Sequence, residues 1–438
     1  MQQTEVPYRN GFDYGMGVEL ARADPKARGV IGEVSAVEGA SGGGGSFKLQ
    51  RVETTEELET HLGISAEASG GVGLFSASAR FNFARDCKVR STSLVLLITA
   101  TEQFGFEQID EPKLGPEAGP LVADGNSALF AERYGDSFVR GIEKGGQFFG
   151  VLRIDTRSDE SRQQVNTELE GSYGAFSADL SVNLSVVARK HEAGIDALAY
   201  WEGGRVTVEI RSPEDLIAAA DQWRDSVQGL PRPYRVTLAP YVIASGPPPP
   251  NAAELEHQRD VLMRCAKLRS QTIDALNLLD YMCDREHSAE FESGSGVDLA
   301  GLQRGVARDL DVIASAAAFA LNHPKDACEP ETFARTLMSP ADPGYERTAL
   351  PENLPKQIGG QPIVFVTVPD LIGRALWDDL RSDQEPYVEM RANFDWEVID
   401  GVVGTPEQGA YGIVYAQKPP PGVDVPKGSK LSTTVYTE

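Results

Sequence analysis

Apolar residues along this chain recur at two spacings, and each spacing predicts a different element. From Arg90 to Thr101 the run is dense in Val, Leu, Ile and Thr, which predicts a strand. Ser212-Pro213-Glu214-Asp215 has the form of a helix start: a serine cap, proline at the first position and an acid three residues on. Pro231 and Pro233 are expected to end that helix before a strand over Tyr234 to Ile243. Beyond the stiff break Ser245-Gly246 and Pro247 to Pro250, the spacing becomes helical. Leu255, Leu262, Cys265, Leu268, Leu276, Leu279 and Met282 fall on one face, as do Leu302, Val306, Leu310, Ile313, Ala317 and Leu321, and His323-Pro324 closes the second run. Together they predict a helical hairpin over 251–323, packed on a mixed α and β region over 1–245 and followed by a Pro- and Gly-rich linker over 324–362.

Within that first region a segment is repeated. Gly70, Gly73, Phe75, Ser76, Ala77 and Asn82 match Gly171, Gly174, Phe176, Ser177, Ala178 and Asn183. In the second copy Phe176, Ala178, Leu180, Val182, Leu184 and Val186 alternate with Ser177, Asp179, Ser181, Asn183 and Ser185. One face is apolar and the other wet over about 11 residues, the length a tilted strand needs to cross a bilayer. In the first copy Phe75, Ala77, Ala79, Phe81 and Phe83 alternate with Ser76, Ser78, Arg80 and Asn82. Upstream, Ile64, Ala66 and Ala68 alternate in the opposite phase, and the phase changes at Gly70 to Gly73, as where a hairpin turns back. A hairpin of an ordinary sheet shows the same alternation, so both readings stand at this point. Thr54-Thr55-Glu56-Glu57-Leu58 and Ser158 to Gln163 moreover have the form of helix starts, so the same segments are candidates for conversion from helix to strand.

Charge removes some partners from consideration. Against 41 Lys and Arg stand 65 Asp and Glu, a net charge of -24. Such a chain repels phosphate backbones, so nucleic acid is not an expected partner. A membrane role has to rest on a receptor or on apolar insertion rather than on a basic patch. No apolar run reaches the ~18 residues of a transmembrane helix, and no secretory signal is read at the N-terminus. Cys87, Cys265, Cys283 and Cys328 are scattered, which fits synthesis in a reducing cytoplasm. Gly42 to Gly45 are not followed by the Lys-Ser/Thr of a phosphate loop, and His61, His191, His257, His287 and His323 are isolated. No HExxH helix occurs. Nothing in the sequence proposes an enzyme, a metal or a cofactor.

Between the two copies lies Tyr134-Gly135-Asp136-Ser137-Phe138, with Gly145-Gly146 several residues on. This resembles the signature of the perforin-like (MACPF) family, an aromatic-Gly-Thr/Ser-His-aromatic run followed by a Gly-Gly pair. Tyr134, Gly135, Phe138, Gly145 and Gly146 match, whereas Asp136 and Ser137 depart, Ser137 standing where the family usually has His. The resemblance covers roughly residues 10 to 245. It implies an α+β fold: a bent antiparallel sheet flanked by helical clusters that unfurl into membrane hairpins when a ring assembles. Gly145-Gly146 would be the hinge.

At the other end, Val368-Pro369-Asp370-Leu371-Ile372-Gly373 with Ala375 to Leu380, and Gln417 to Ser429 before a strand over Lys430 to Tyr436, resemble the opening and closing stretches of a PASTA domain, a small α+β module. Its span here is 363–438. Members of that family often bind cell-wall fragments or act as spacers, so cell-wall or receptor binding is one expectation and a passive spacer the other.

These readings combine into one expectation. A bacterial protein, made in the cytoplasm and released by lysis or export, docks as a soluble monomer on a target membrane through a lipid, glycan or protein receptor. It assembles a homo-oligomeric ring and inserts two hairpins per subunit, from about 54–84 and 156–187, as a β-barrel pore. Phe75, Phe81, Phe83, Phe176, Leu180, Val182, Leu184 and Val186 would face lipid, and Ser78, Arg80, Asn82, Asp179, Ser181 and Asn183 the lumen. The alternative is a non-lytic protein of the same fold that binds a surface or the cell wall.

Overall fold

The computed structural model describes residues 3–37, 47–66, 68–69, 71, 73–75, 78–156, 158–170, 184, 186–187, 190–191, 193–248, 252–285, 287–292, 296–358, 365–374, 393–403, 413–418, 421, 424–426 and 429–437. The chain divides into two units, the larger comprising 1–184 with 194–358 and the smaller 185–193 with 359–438.

The larger unit is α+β, a large antiparallel sheet flanked by helical clusters. Nine strands form the sheet among the described residues: β1 (Thr4–Pro7), β2 (Met16–Glu19), β3 (Asp24–Arg28), β4 (Val30–Ala36), β5 (Lys48–Val52), β6 (Ser93–Leu114), β7 (Ser137–Asp155), β8 (Gly194–Glu202) and β9 (Arg232–Pro240). The helices are α1 (Thr55–His61), α2 (Ala79–Asp86), α3 (Ala118–Ala123), α4 (Ser127–Tyr134), α5 (Asp159–Glu170), α6 (Pro213–Val227), α7 (Ala252–Cys283), α8 (Leu299–Asn322) and α9 (Pro330–Thr336).

Two strands organise everything else. β6 runs 22 residues and β7 runs 19, paired antiparallel from Ser93 opposite Asp155 to Gln108 opposite Gly141. Their neighbours change partway along. At one end β5 lies on β6 and β8 on β7; at the other, β4 lies on β6 and β9 on β7. The sheet therefore has two zones sharing two through-going strands. Val95, Leu97, Phe149 and Val151 face one core with α1 and α2, while Phe148 meets Trp223 of α6 on the opposite face.

Local chemistry explains the elements. Ser212 caps α6 by accepting the Asp215 N–H, with Pro213 in the first turn, as the sequence predicts. The helices α7 and α8 follow the predicted apolar spacing and share a core that includes Leu262, Cys265, Ile313 and Ala317. Asp298 caps α8, and His323 ends it.

Two strand boundaries differ from expectation. β6 starts at Ser93 because the Ser93 N–H and hydroxyl both return to the Arg90 carbonyl, making a turn there. It continues past Thr101 to Leu114 because β7 pairs with it as far as Gln108 and β4 from Glu107 to Leu114, although its side chains there are mostly polar and largely half-exposed. β9 ends at Pro240, and Tyr241–Ala244 form a 3-10 turn rather than strand, since a proline carries no N–H for the ladder. Residues 324–358, read as a linker, carry α9 and bury Tyr345 against Val312 and Ala334.

In the smaller unit β10 (Phe365–Thr367) pairs antiparallel with β13 (Asp424–Pro426). β14 (Ser429–Thr437) lies between β11 (Phe394–Val403), parallel to it, and β12 (Val414–Lys418), antiparallel. The Gln417 amide donates to the Pro369 carbonyl at 2.9 Å and accepts the Leu371 N–H at 2.8 Å, so the two stretches singled out in the sequence are tied together. The expected helix over Ala375 to Leu380 lies outside the described residues.

Candidate functional site

Two long connections leave the sheet at the same end. One joins β5 to β6, the other β7 to β8, and in each case the joined strands are antiparallel neighbours. Val52 sits opposite Val95, Ser93 opposite Asp155, and Asp155 opposite Gly194. The four strand ends thus stand side by side in the order β5-β6-β7-β8. Each connection contains about 40 residues, enough for two arms of roughly 18, or about 60 Å each at strand rise.

In this structure both connections carry helices, α1 and α2 in the first and α5 in the second. Thr54 accepts the Glu57 N–H at 3.1 Å while the Glu57 carboxylate accepts the Glu53 N–H at 2.7 Å, a reciprocal cap on α1. Ser78 accepts the Phe81 N–H at 3.3 Å at the start of α2, and Ser158 accepts the Ser161 N–H at 3.1 Å at the start of α5. Within that alternation Phe75 lies in a turn and Ala79 to Phe83 are helix rather than strand. Read at helical spacing, the same sequence buries Arg80, Phe83 and Ala84 and exposes Asn82.

Of the described residues proposed for the lipid face, all but Val186 are inside or against the protein. Phe83 is buried with its ring 5.9 Å from that of Tyr200. Phe75 and Phe81 are half-buried, and the Arg269 guanidinium lies 5.1 Å and 4.7 Å from their ring centroids. Leu184 is buried and Val186 exposed. Phe176, Leu180, Val182, Asp179, Ser181 and Asn183 lie outside the described residues, as does Gly42 to Gly45.

Of the proposed lumen residues, Ser78 is a helix cap and Arg80 is buried. The Arg80 guanidinium reaches the Glu202 carboxylate, the Gln147 side chain and the Leu62 carbonyl. It therefore ties α2 to β7 and β8. Sequence reasoning missed this pairing: 122 residues separate Arg80 from Glu202, and nothing local marks either one.

The signature residues position the start of β7. Tyr134 ends α4, its ring packed with Phe130, and its carbonyl accepts the Tyr241 hydroxyl at 2.9 Å. Gly135 has φ +75, and a Cβ there would stand 2.3 Å from the Val18 carbonyl oxygen. Phe138 is fully buried against Tyr241. Asp136 donates its N–H to the Val18 carbonyl and accepts the Leu20 N–H at 3.2 Å, and burial pushes its carboxyl up to about 7.

Gly145 and Gly146 are not in a turn. They lie within β7 where its neighbour changes: Gly145 pairs with Arg232 at the start of β9, and Gln147 with Glu202 at the end of β8. The facing strand shifts register between Gln103 and Gly105. A Cβ on Gly145 would meet the Glu102 carbonyl oxygen at 1.9 Å, and one on Gly146 the Glu202 carbonyl oxygen at 2.5 Å. Only glycine lets three backbones close on one another here.

Helix α7 lies along the first connection. Asp274 accepts the Thr55 N–H at 3.0 Å and the Thr55 hydroxyl at 2.5 Å. Glu59, buried, accepts the Ser270 hydroxyl at 2.6 Å and an Arg269 N–H at 3.2 Å. Burial pushes Asp274 up to about 6 and also raises Glu59. Among the described residues no helix is long and apolar enough to cross a membrane, and no cluster of His, Cys, Asp and Glu could hold a metal.

No family model matches the sequence, and no curated protein matches it. Solved structures share features of the fold at low identity. A stonustoxin structure is similar over 76% of this chain and 44% of its own, at 12% identity and a TM-score of 0.42. GNIP1Aa from Chromobacterium piscinae is similar over 62% of this chain and 58% of its own, at 13% identity and a TM-score of 0.36. A Bacteroides thetaiotaomicron protein with a MAC/Perforin domain is similar over 56% and 62%, at 11% identity and a TM-score of 0.28. The chain spans less than two thirds of the length of each.

Proposed function

We propose that this chain is a pore-forming protein of the perforin-like type, whose two connections leave the sheet as β-hairpins and close a barrel with those of other copies. The observation that carries the reading is the placement of the connections. Each begins and ends on antiparallel neighbours, at one end of four adjacent strands. Straightening them would prolong β5, β6, β7 and β8 without re-pairing the strands already formed. About 18 residues per arm exceed the 9–11 that a tilted strand needs to span a bilayer. A single such hairpin has unpaired edges and cannot enter lipid, so a closed ring of copies is required.

On this reading Phe75, Phe81, Phe83, Phe176, Leu180, Val182, Leu184 and Val186 turn to lipid after release, and Ser78, Arg80, Asn82, Asp179, Ser181 and Asn183 to the lumen. Gly145 and Gly146 permit the two zones of the sheet to change their mutual angle. The smaller unit, with its PASTA-like stretches, serves in target recognition.

Dye release from liposomes and target-derived vesicles tests the proposal. Wild type is compared with a variant carrying a cysteine pair that locks the first connection to its neighbouring element. Release abolished by the lock and restored by reductant supports insertion. Binding without release on every membrane tried, including target-cell extracts, would instead favour a non-lytic surface-binding protein.

A further inference from the structure

We infer that helix α7 is an autoinhibitory clamp on the first connection, and that its grip on α1 sets the rate at which that connection can leave. The regulatory meaning rests on the pore-forming reading above; the clamp itself rests on contacts.

Those contacts occur at both ends of the connection and in its middle. At the start, Asp274 takes both donors of Thr55, the N–H and the hydroxyl. One turn further along each helix, Glu59 takes the Ser270 hydroxyl and pairs with Arg269, and Lys267 stands 3.5 Å from Glu56. In the middle, Leu74 is buried among Val261, Leu262 and Ile313, while its carbonyl accepts an Arg269 N–H at 3.0 Å. At the far end the Asn277 amide donates to the Val89 carbonyl at 2.9 Å, and the Arg90 guanidinium lies 3.8 Å from the Tyr281 ring centroid. A single helix thus holds points from Thr55 to Arg90.

The grip on α1 is polar and buried, which makes it steep. Glu59 is ion-paired and hydrogen-bonded yet almost without solvent, so it is stable only while Arg269 and Ser270 stay in place. Asp274 likewise has α1 as its partner, and Glu56 and Glu59 nearby oppose its charge. Breaking these bonds while Glu59 and Thr55 stay buried leaves desolvated groups without their partners, which is costly. α1 is seven residues long, too short to persist as a helix once unsupported. Loss of the clamp therefore melts the segment rather than displacing it as a unit.

Asp274→Ala tests this, read by peptide-resolved hydrogen exchange on the full chain at neutral pH. The expected result is exchange about tenfold faster over 54–62, with β6 and β7 unchanged. Unchanged exchange over 54–62, or equal acceleration of the strands, would overturn the clamp. Should that variant fail to fold, Glu59→Gln keeps the acceptor for Ser270 while removing the charge that Arg269 pairs with, and the same pattern is expected. Dye release from vesicles supplies the second readout, with a half-time shortened severalfold in the variant. Faster exchange with an unaltered release rate would overturn α7 as the brake. Faster exchange with no release from either protein would leave the clamp standing and sink the pore-forming reading.

Discussion

Arg80 on α2 and Glu202 at the end of β8 form a two-pronged ion pair, with Nε donating to Oε1 at 3.1 Å and Nη2 to Oε2 at 2.5 Å. It is largely buried, and it joins a segment proposed to leave the sheet to the strand beside the glycine pair.

Removing one partner leaves the other charged and desolvated. Arg80→Met is expected to lower stability by about 3 kcal/mol, the usual scale for a broken buried pair. Arg80→Met with Glu202→Leu is expected to cost less than the sum of the single changes. Thermal unfolding of the four members of this cycle checks the coupling, and strict additivity would contradict it.

The glycine pair makes a sharper prediction. Gly146→Val and Gly145→Ala are both expected to cut soluble yield and lower the melting temperature, because each Cβ would run into a carbonyl oxygen. Gly105→Ala is the control, with nothing within 4 Å of its Cβ position. Equal tolerance at all three positions would contradict the close approach.

Asp136 supplies a pH dependence whose sign is fixed. Its carboxyl is raised by burial to about 7, against about 4 in an unfolded chain. The folded form holds the proton more tightly, so this contribution is complete below pH about 4 and lost as pH rises through about 7. Asp136→Asn is expected to shrink the fall in melting temperature between pH 5 and pH 8. An undiminished fall would assign the dependence elsewhere.

Helix caps in the connections offer a milder handle. Thr54→Ala and Ser78→Ala each remove one capping bond, at about 1 kcal/mol. Both are expected to reduce protection of their own helix in hydrogen exchange and to speed dye release. Slower release would contradict a helix-to-strand route.

Much of this was legible in the sequence, and for identifiable reasons. Ser212-Pro213 and the apolar faces of α7 and α8 are local signals, set within a few turns of chain. The repeat from Gly70 to Asn82 was also legible, but its period was ambiguous. Small residues such as Ser78 and Ala79 suit either element, and the choice of helix here depends on Arg80 meeting Glu202 and Phe83 meeting Tyr200. Those partners lie far away in sequence. Likewise Glu102 to Leu114 carry no strand pattern, because pairing first with β7 and then with β4 imposes the extended backbone. Thr55 with Asp274 was invisible for the same reason.

The through-going strands have one more consequence. β6 and β7 continue past the point where β4 and β9 give way to β5 and β8. Any rotation of one zone against the other is thereby delivered to the roots of both connections at once, as two blades on one shaft. On the pore-forming reading proposed above, the two connections would therefore be geared together: a restraint on either one would be felt by the other, and neither would complete its release alone.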